Sequence, residues 1–119
     1  MRPADLVLLV ALTLPLAGAC SGSSLASQAS CSELQDAYTN ALPAALACDP
    51  GAANQCQQLA STDSQCSCGQ LVQNASELDR IVNQMVAEGC IHQTACPCPI
   101  VPLVTCLPGD GGSGTCGTP

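Results

Sequence analysis

Residues 31–48, CSELQDAYTNALPAALAC, decide the first half of the fold. Ser32 followed by Gln35 forms a capping-box pattern, which predicts that a helix begins there. Apolar residues then recur every three or four positions, as on the buried face of a helix. This stripe consists of Leu34, Ala37, Tyr38, Ala41, Leu42, Ala45 and Leu46. Pro43 lies off the stripe and removes one backbone hydrogen bond, so we expect a kink or a break there. The predicted helix covers about 32–47, with a cysteine at each end.

A second helix is predicted over about 75–88, within residues 66–90, CSCGQLVQNASELDRIVNQMVAEGC. Asn74 or Ser76 can cap its first turn, and Gly89 occupies the position where helices commonly end. The apolar stripe of this helix is Leu78, Ile81, Val82, Met85 and Val86.

The cysteines at the helix ends constrain how the two helices are linked. In a continuous helix Cys31 and Cys48 lie about 25 Å apart, at 1.5 Å per residue. A disulfide needs Cα atoms within about 7 Å, so these two cysteines do not pair with each other. An antiparallel helix pair places Cys31 near Cys90, and Cys48 near Cys66 or Cys68. Our hypothesis is therefore a Cys31–Cys90 disulfide.

Ten cysteines follow residue 30, and an even number in a small exported chain is typical of a disulfide framework. Residues 20–119 contain only 17 Leu, Ile and Val and no Phe or Trp, so the apolar core is small. Bridges worth about 2–4 kcal/mol each stabilise such a domain. Metal is the competing use of these thiols, but the close pairs are C-x-C, whereas structural zinc more often uses C-x(2–4)-C. The predicted disulfide cysteines are Cys31, Cys48, Cys56, Cys66, Cys68, Cys90, Cys96, Cys98, Cys106 and Cys116.

The remaining segments are short. Residues 51–60, GAANQCQQLA, are predicted to form a short helix. Residues 97–119 hold five of the nine prolines and five of the ten glycines, so this segment is expected to be irregular or hairpin-like. In it, residues 103–106 can pair with residues 115–117. In each C-x-C pair, alternate side chains of an extended backbone point in opposite directions, so the two sulfurs should join different neighbours in the fold. The predicted fold class is a small, mainly α, disulfide-rich domain.

The first thirty residues indicate export. Residues 6–16, LVLLVALTLPL, form an apolar run that is too short to span a bilayer as a helix. Small residues follow at 17–19, as at a signal-peptide cleavage site, so residues 1–19 are predicted to be a signal peptide. After Cys20, residues 21–30 form a small, polar, uncharged run. Residues 20–30 are therefore predicted to be a flexible tether. The folded domain is then expected to occupy residues 31–119.

Charge excludes several classes of partner. Nine acidic and two basic residues give a net charge of −7, which argues against binding nucleic acid or an anionic membrane surface. His92 is the only histidine and has no evident catalytic partner, and no nucleophile elbow, zinc-protease motif or phosphate loop is present. The sequence therefore predicts no catalytic residue, no metal site and no cofactor. Tyr38, the only aromatic residue, is expected in the core because it lies on the apolar stripe.

Residues 16–20, LAGAC, resemble the lipobox of bacterial lipoproteins. In that family the cysteine becomes the first mature residue and carries acyl chains, so the resemblance implies lipidation of Cys20. The family prefers Leu three places before the cysteine, where this chain has Ala17. Cleavage by the ordinary signal peptidase therefore stays open as the alternative, and any contact with the membrane is expected only through a lipid anchor.

A second resemblance covers roughly residues 31–116. The spacing of the cysteines, with the closing Gly89-Cys90 and Gly114-Thr115-Cys116, resembles uncharacterised cysteine-rich secreted proteins and lipoproteins of myxobacteria. This resemblance implies a surface-associated helical domain held by disulfides, and it implies no known activity.

The sequence thus predicts a non-enzymatic lipoprotein or surface interaction module of the cell envelope, or of the exterior, that binds an unknown protein or glycan. The alternative is a freely secreted disulfide-rich effector, such as a hydrolase inhibitor. An inhibitor usually presents a rigid exposed loop, and Pro97–Pro102, PCPIVP, is the candidate because cysteines surround it.

Overall fold

The computed structural model describes residues 29–119, which contain two α-helices and five short strands. In chain order these are α1 (Cys31–Leu46), β1 (Ala47–Cys48), β2 (Gln58–Ala60), β3 (Gln70–Val72), α2 (Ser76–Ala87), β4 (Thr105–Pro108) and β5 (Gly114–Gly117). The strands form two antiparallel sheets, β1-β5-β4 and β2-β3. The predicted mainly α class is therefore wrong, since the domain is a mixed α/β fold. The predicted signal peptide, Cys20 and nearly all of the predicted tether lie outside the described residues.

Helix α1 begins slightly earlier than predicted because Ser30, and not Ser32, caps it. The Oγ of Ser30 accepts a hydrogen bond from the Glu33 N–H at 3.3 Å, and Glu33 Oε2 accepts one from the Ser30 N–H at 2.7 Å. This reciprocal pair satisfies two backbone donors that the helix leaves free. The bonds from the Ser30 backbone and side chain also lower the pKa of Glu33. Pro43 lies within α1 without splitting it.

Helix α2 begins where the sequence predicts. The Oδ1 of Asn74 accepts hydrogen bonds from the N–H and the hydroxyl of Ser76, at 3.1 and 2.8 Å. In the first turn, Glu77 forms two hydrogen bonds with Arg80, and these lower the pKa of the Glu77 carboxyl. Acidic groups at this end of a helix are favoured by its dipole.

The end of α2 directs Cys90 toward α1. Gly89 has a φ of 71°, and its N–H donates to the Val86 carbonyl at 3.1 Å. The Cys90 N–H donates to the Met85 carbonyl at 2.8 Å, which completes a Schellman motif. Cys90 is bonded to Cys31 with a Cα–Cα distance of 5.3 Å, as the antiparallel arrangement of helices predicts.

The hydrophobic core lies between the facing stripes of α1 and α2. Both predicted stripes are largely correct, although Val86 is 42% exposed. The β2–β3 hairpin adds two residues to the core, and the turn before α2 adds one more. The buried core residues are Leu34, Tyr38, Ala45, Ala60, Val72, Ala75, Leu78, Ile81, Val82 and Met85. Ten residues, three of them alanine, make a small core, which explains why the domain relies on cross-links.

The predicted short helix over residues 51–60 is absent. The side chain of Asp49 accepts a hydrogen bond from the Gly51 N–H at 2.9 Å, which starts a turn instead. Asn54 and Cys56 then adopt positive φ values of 58° and 60°, which a right-handed helix does not accommodate. The chain emerges from this turn as strand β2.

The C-terminal hairpin is confirmed, but its first strand begins two residues later than predicted, at Thr105, and its second begins one residue earlier, at Gly114. Cys106 lies opposite Cys116 across β4 and β5, and each forms a disulfide with a residue outside the hairpin. Cys116 is bonded to Cys56, with a Cα–Cα distance of 5.6 Å. The hairpin is therefore attached to the rest of the domain through both of its strands.

The predicted position of Cys48 near Cys66 or Cys68 is wrong. Cys48 is bonded to Cys106, with a Cα–Cα distance of 5.9 Å. The reason is that α1 runs directly into strand β1, which pairs with β5 and so brings the C-terminal hairpin beside Cys48. This pairing joins residues more than 60 positions apart, which no local sequence pattern reveals.

Candidate functional site

Two C-x-C pairs form a double cross-link, which we call the clasp. Cys66 is bonded to Cys96 and Cys68 to Cys98, with Cα–Cα distances of 5.4 and 5.5 Å. The prediction that the two sulfurs of each pair join different neighbours is therefore wrong, because both bridges connect the same two segments. The clasp fixes residues 96–98 to the segment that leads into β3.

Backbone hydrogen bonds reinforce the clasp. The Ser67 N–H donates to the Thr94 carbonyl at 3.2 Å, and the Thr94 N–H donates to the Gln65 carbonyl at 2.8 Å. The two segments run parallel at this point. With two disulfides and two hydrogen bonds, this junction places the start of the following segment firmly on the body of the domain.

That following segment, residues 97–103 (PCPIVPL), is the clasped loop. All seven residues are exposed, and the Ile100 and Leu103 side chains are 95% and 77% exposed. No backbone group of the loop is hydrogen-bonded to another described residue. Three prolines restrict its backbone, because the pyrrolidine ring fixes φ near −65°. The sequence predicted Pro97–Pro102 as an exposed loop between cysteines, and the structure confirms that placement.

A cleft of about 380 Å³ separates the clasped loop from the β2–β3 hairpin. Leu59 of β2 lies directly opposite Leu71 of β3, and both line the cleft. Ile100, Val101 and Val104 line its other side. Leu59 is 59% exposed, although Ala60 and Val72 on the opposite face of the hairpin are buried. The outer face of the hairpin therefore continues the apolar surface of the loop.

Gly69 shapes the floor of this cleft. A Cβ atom at this position would lie 2.5 Å from Leu59 Cγ and 3.0 Å from the Ala60 carbonyl oxygen. The absence of a side chain lets Leu59 lie across the backbone at the start of β3. Sequence reasoning missed Gly69, Leu59 and Leu71, because strands of three residues are too short to show a two-residue periodicity.

The loop and cleft are uncharged in a protein that is otherwise acidic. No Asp, Glu, Lys or Arg lies between Glu88 and Asp110 in the sequence, and the residues lining the cleft include none. Apart from the Ser67 hydroxyl and the Gln70 amide, the side chains that line the cleft are apolar or belong to disulfides. What this surface can do is bury aliphatic side chains against a partner, with hydrogen bonds supplied by its unpaired backbone groups.

Two other residues singled out by the sequence lie elsewhere. Tyr38 is in the core as predicted, where its hydroxyl accepts a hydrogen bond from Gln70 Nε2 at 2.9 Å and donates to the Ser61 carbonyl at 3.4 Å. Burial, together with the charge of Asp63, raises the pKa of its phenol. His92 is exposed and makes no hydrogen bond within the described residues.

One cluster of sulfurs has the dimensions of a metal site. The Sγ atoms of Cys48, Cys56 and Cys116 lie within 4.8 Å of one another. All three belong to disulfides, so none of them is the thiolate that a metal requires. The cluster consists of two adjacent disulfides. One joins β1 to the C-terminal hairpin, and the other joins the segment before β2 to the same hairpin.

Comparison with protein-family models, with curated proteins and with solved structures finds no match. No helix among residues 29–119 is long and apolar enough to cross a membrane. The five disulfides are of the kind that persist in oxidising surroundings, as in the extracellular space or the cell envelope.

Proposed function

We propose that the protein is a non-enzymatic recognition module of the cell envelope or the exterior, and that the clasped loop contacts its partner protein. The observation that carries this proposal is the exposure of the loop. Ile100 is 95% exposed at the centre of seven consecutive exposed residues, while the core holds only ten side chains.

A small domain gains stability by burying its aliphatic residues, so leaving several of them in water has to serve another purpose. Ile100 and Val101 together with Leu59 and Leu71 place four large aliphatic side chains around one cleft. Grouped apolar surface of this kind is typical of contact sites, whereas single exposed leucines are common everywhere.

The cross-links favour recognition for a second reason. Binding a partner costs entropy when a mobile loop becomes ordered, and prior restraint of the loop reduces that cost. The clasp holds the loop at Cys98, and the Cys48–Cys106 bridge holds the chain beyond it. Prolines at 99 and 102 restrict the backbone between these points.

Attachment to the membrane is a separate part of the proposal. Cleavage before Cys20 and acylation of its thiol would anchor the domain through residues 21–30, a tether without charged residues. Intact mass of the protein from its native host tests this directly. We expect a chain that begins at Cys20 and carries added acyl mass, and an unmodified Cys20 terminus would contradict anchoring while leaving the recognition proposal intact.

The contact surface is tested by placing a photo-reactive amino acid at position 100 and cross-linking on intact host cells and in their medium. The matched control carries the same group at Asn83, which is exposed on α2 far from the loop in sequence. We expect a discrete cross-linked product at position 100 only. Equal labelling from both positions, or from neither, would rule out the loop as the contact surface.

A further inference from the structure

We propose that the clasped loop occupies the active-site cleft of a serine endopeptidase as a substrate-like inhibitor, with Ile100 in an aliphatic specificity pocket. This inference rests on the proposed role of the loop as the contact surface, and it names the class of the partner. Four features of the loop support it: its unpaired backbone, its register, its covalent restraint and its lack of charge.

The unpaired backbone matches the way that endopeptidases bind peptides. Their substrates lie extended in a cleft and form main-chain hydrogen bonds, as an added β-strand does. Residues 97–103 make no backbone hydrogen bond to another described residue, so their N–H and C=O groups, apart from the prolyl nitrogens, remain available. A segment already paired in a sheet would first have to be pulled out of it.

The prolines define which peptide bond of the loop would lie at the catalytic serine. Between Pro99 and Pro102 there are three peptide bonds, and only Ile100–Val101 has no proline on either side. Ile100 is also the most exposed large hydrophobic residue of the described chain. The reactive bond is therefore Ile100–Val101, and the side chain that enters the specificity pocket is β-branched and aliphatic.

The disulfides make the loop act as an inhibitor and not as a substrate, because they hold both chain ends in place if the bond is cleaved. When a serine hydroxyl attacks the Ile100 carbonyl, the Ile100–Val101 bond breaks, an ester forms on the enzyme, and the Val101 amine leaves with a proton. Cys98 remains bonded to Cys68, and Cys106 to Cys48, so neither new chain end leaves the complex. The retained amine can attack the ester and restore the peptide bond before water does.

The charge of the loop and the redox environment further restrict which endopeptidases it fits. The loop and cleft carry no acidic or basic side chain, so a pocket that selects Lys or Arg has no partner here. Five disulfides indicate oxidising surroundings, in which a catalytic thiolate is vulnerable to oxidation and a serine nucleophile is not. The partner is accordingly an exported serine endopeptidase with an apolar pocket.

The test measures inhibition of purified serine endopeptidases by the oxidised full-length mature protein. The panel contains one enzyme selective for aliphatic side chains and one selective for Lys and Arg. We expect competitive inhibition of the first enzyme only. Ile100→Lys should weaken that inhibition by about 100-fold or more, as expected when a buried anchor is lost, and should create inhibition of the second enzyme. Leu103→Lys, a matched change in the same loop, should not transfer the specificity.

Each further outcome decides the matter. Inhibition accompanied by slow hydrolysis, seen as the added mass of one water with all fragments still joined by disulfides, supports the proposal. Rapid cleavage at Ile100–Val101 without inhibition makes the loop a substrate and overturns it, as does the absence of both inhibition and cleavage. A discrete cross-link from position 100 to a protein that is not an endopeptidase would overturn this inference and leave the recognition function standing.

Discussion

Removing the Cys68–Cys98 bridge should destabilise the domain less than removing Cys31–Cys90, although both are single disulfides. With Cys66–Cys96 intact, Cys68–Cys98 closes a ring of only six residues, 66–68 and 96–98. Without Cys31–Cys90, the shortest route between those two residues runs through Cys48–Cys106 and contains 35 residues, 31–48 and 90–106. Loop-closure entropy assigns about 2 kcal/mol to the small ring and about 4 kcal/mol to the large one.

The comparison uses two double variants, Cys68→Ala with Cys98→Ala and Cys31→Ala with Cys90→Ala. Peptide mapping without reduction first verifies that the four remaining bridges are intact in each. Urea-induced unfolding, followed by circular dichroism, then gives the free energy of unfolding. The expected gap of about 2 kcal/mol corresponds to a difference of about 8–16 °C in Tm for a domain of this size.

Equal losses in the two variants, or a larger loss for Cys68–Cys98, would refute the ring-size reasoning. A loss of inhibition in the Cys68–Cys98 variant, with its fold and most of its stability retained, would show that this bridge serves the loop more than the core. The Cys31–Cys90 variant is the control, because its bridge joins the two helices and neither of its cysteines belongs to the clasped loop.

Three further predictions concern single residues. Ser30→Ala should cost about 1 kcal/mol of stability, because it removes the cap of α1. Ser32→Ala should cost a few tenths of a kcal/mol at most, and urea unfolding distinguishes the two variants. Gly89→Ala should cost about 1–2 kcal/mol in the same assay, since φ is 71° there and no atom lies near the added Cβ, so the cost is purely conformational. Tyr38 should ionise above its ordinary pKa, mainly because it is buried, and phenolate absorbance should report a lower midpoint once the protein is reduced and unfolded. Because its folded pKa is raised, the stability linked to the protonated phenol is fully present below a pH of about 10 and is lost as the pH rises through the folded pKa. A midpoint unchanged by unfolding would contradict the buried position of Tyr38, and equal effects of the two serine variants would contradict the Ser30 cap.

The candidate site was only partly predictable from the sequence. The loop could be predicted, because prolines and flanking cysteines at 96, 98 and 106 mark an exposed, restrained segment. The other wall of the cleft could not. Leu59 and Leu71 lie on strands of three residues each, and whether they face the core or the solvent depends on a pairing register that so few residues do not reveal.

The sequence by itself determined the two helices, their buried stripes and the bridge that joins Cys31 to Cys90. The helices and stripes follow from local rules, because a 3.6-residue period repeated over 12–16 residues and a glycine at the helix end act within a single segment. The bridge follows once the two helices are packed antiparallel. Only the tertiary structure decided the sheets and the partner of Cys48. Strands of two to four residues carry too little pattern to specify their neighbours, so the pairing of β1 with β5 depends on the long-range disulfides and on packing across the whole domain.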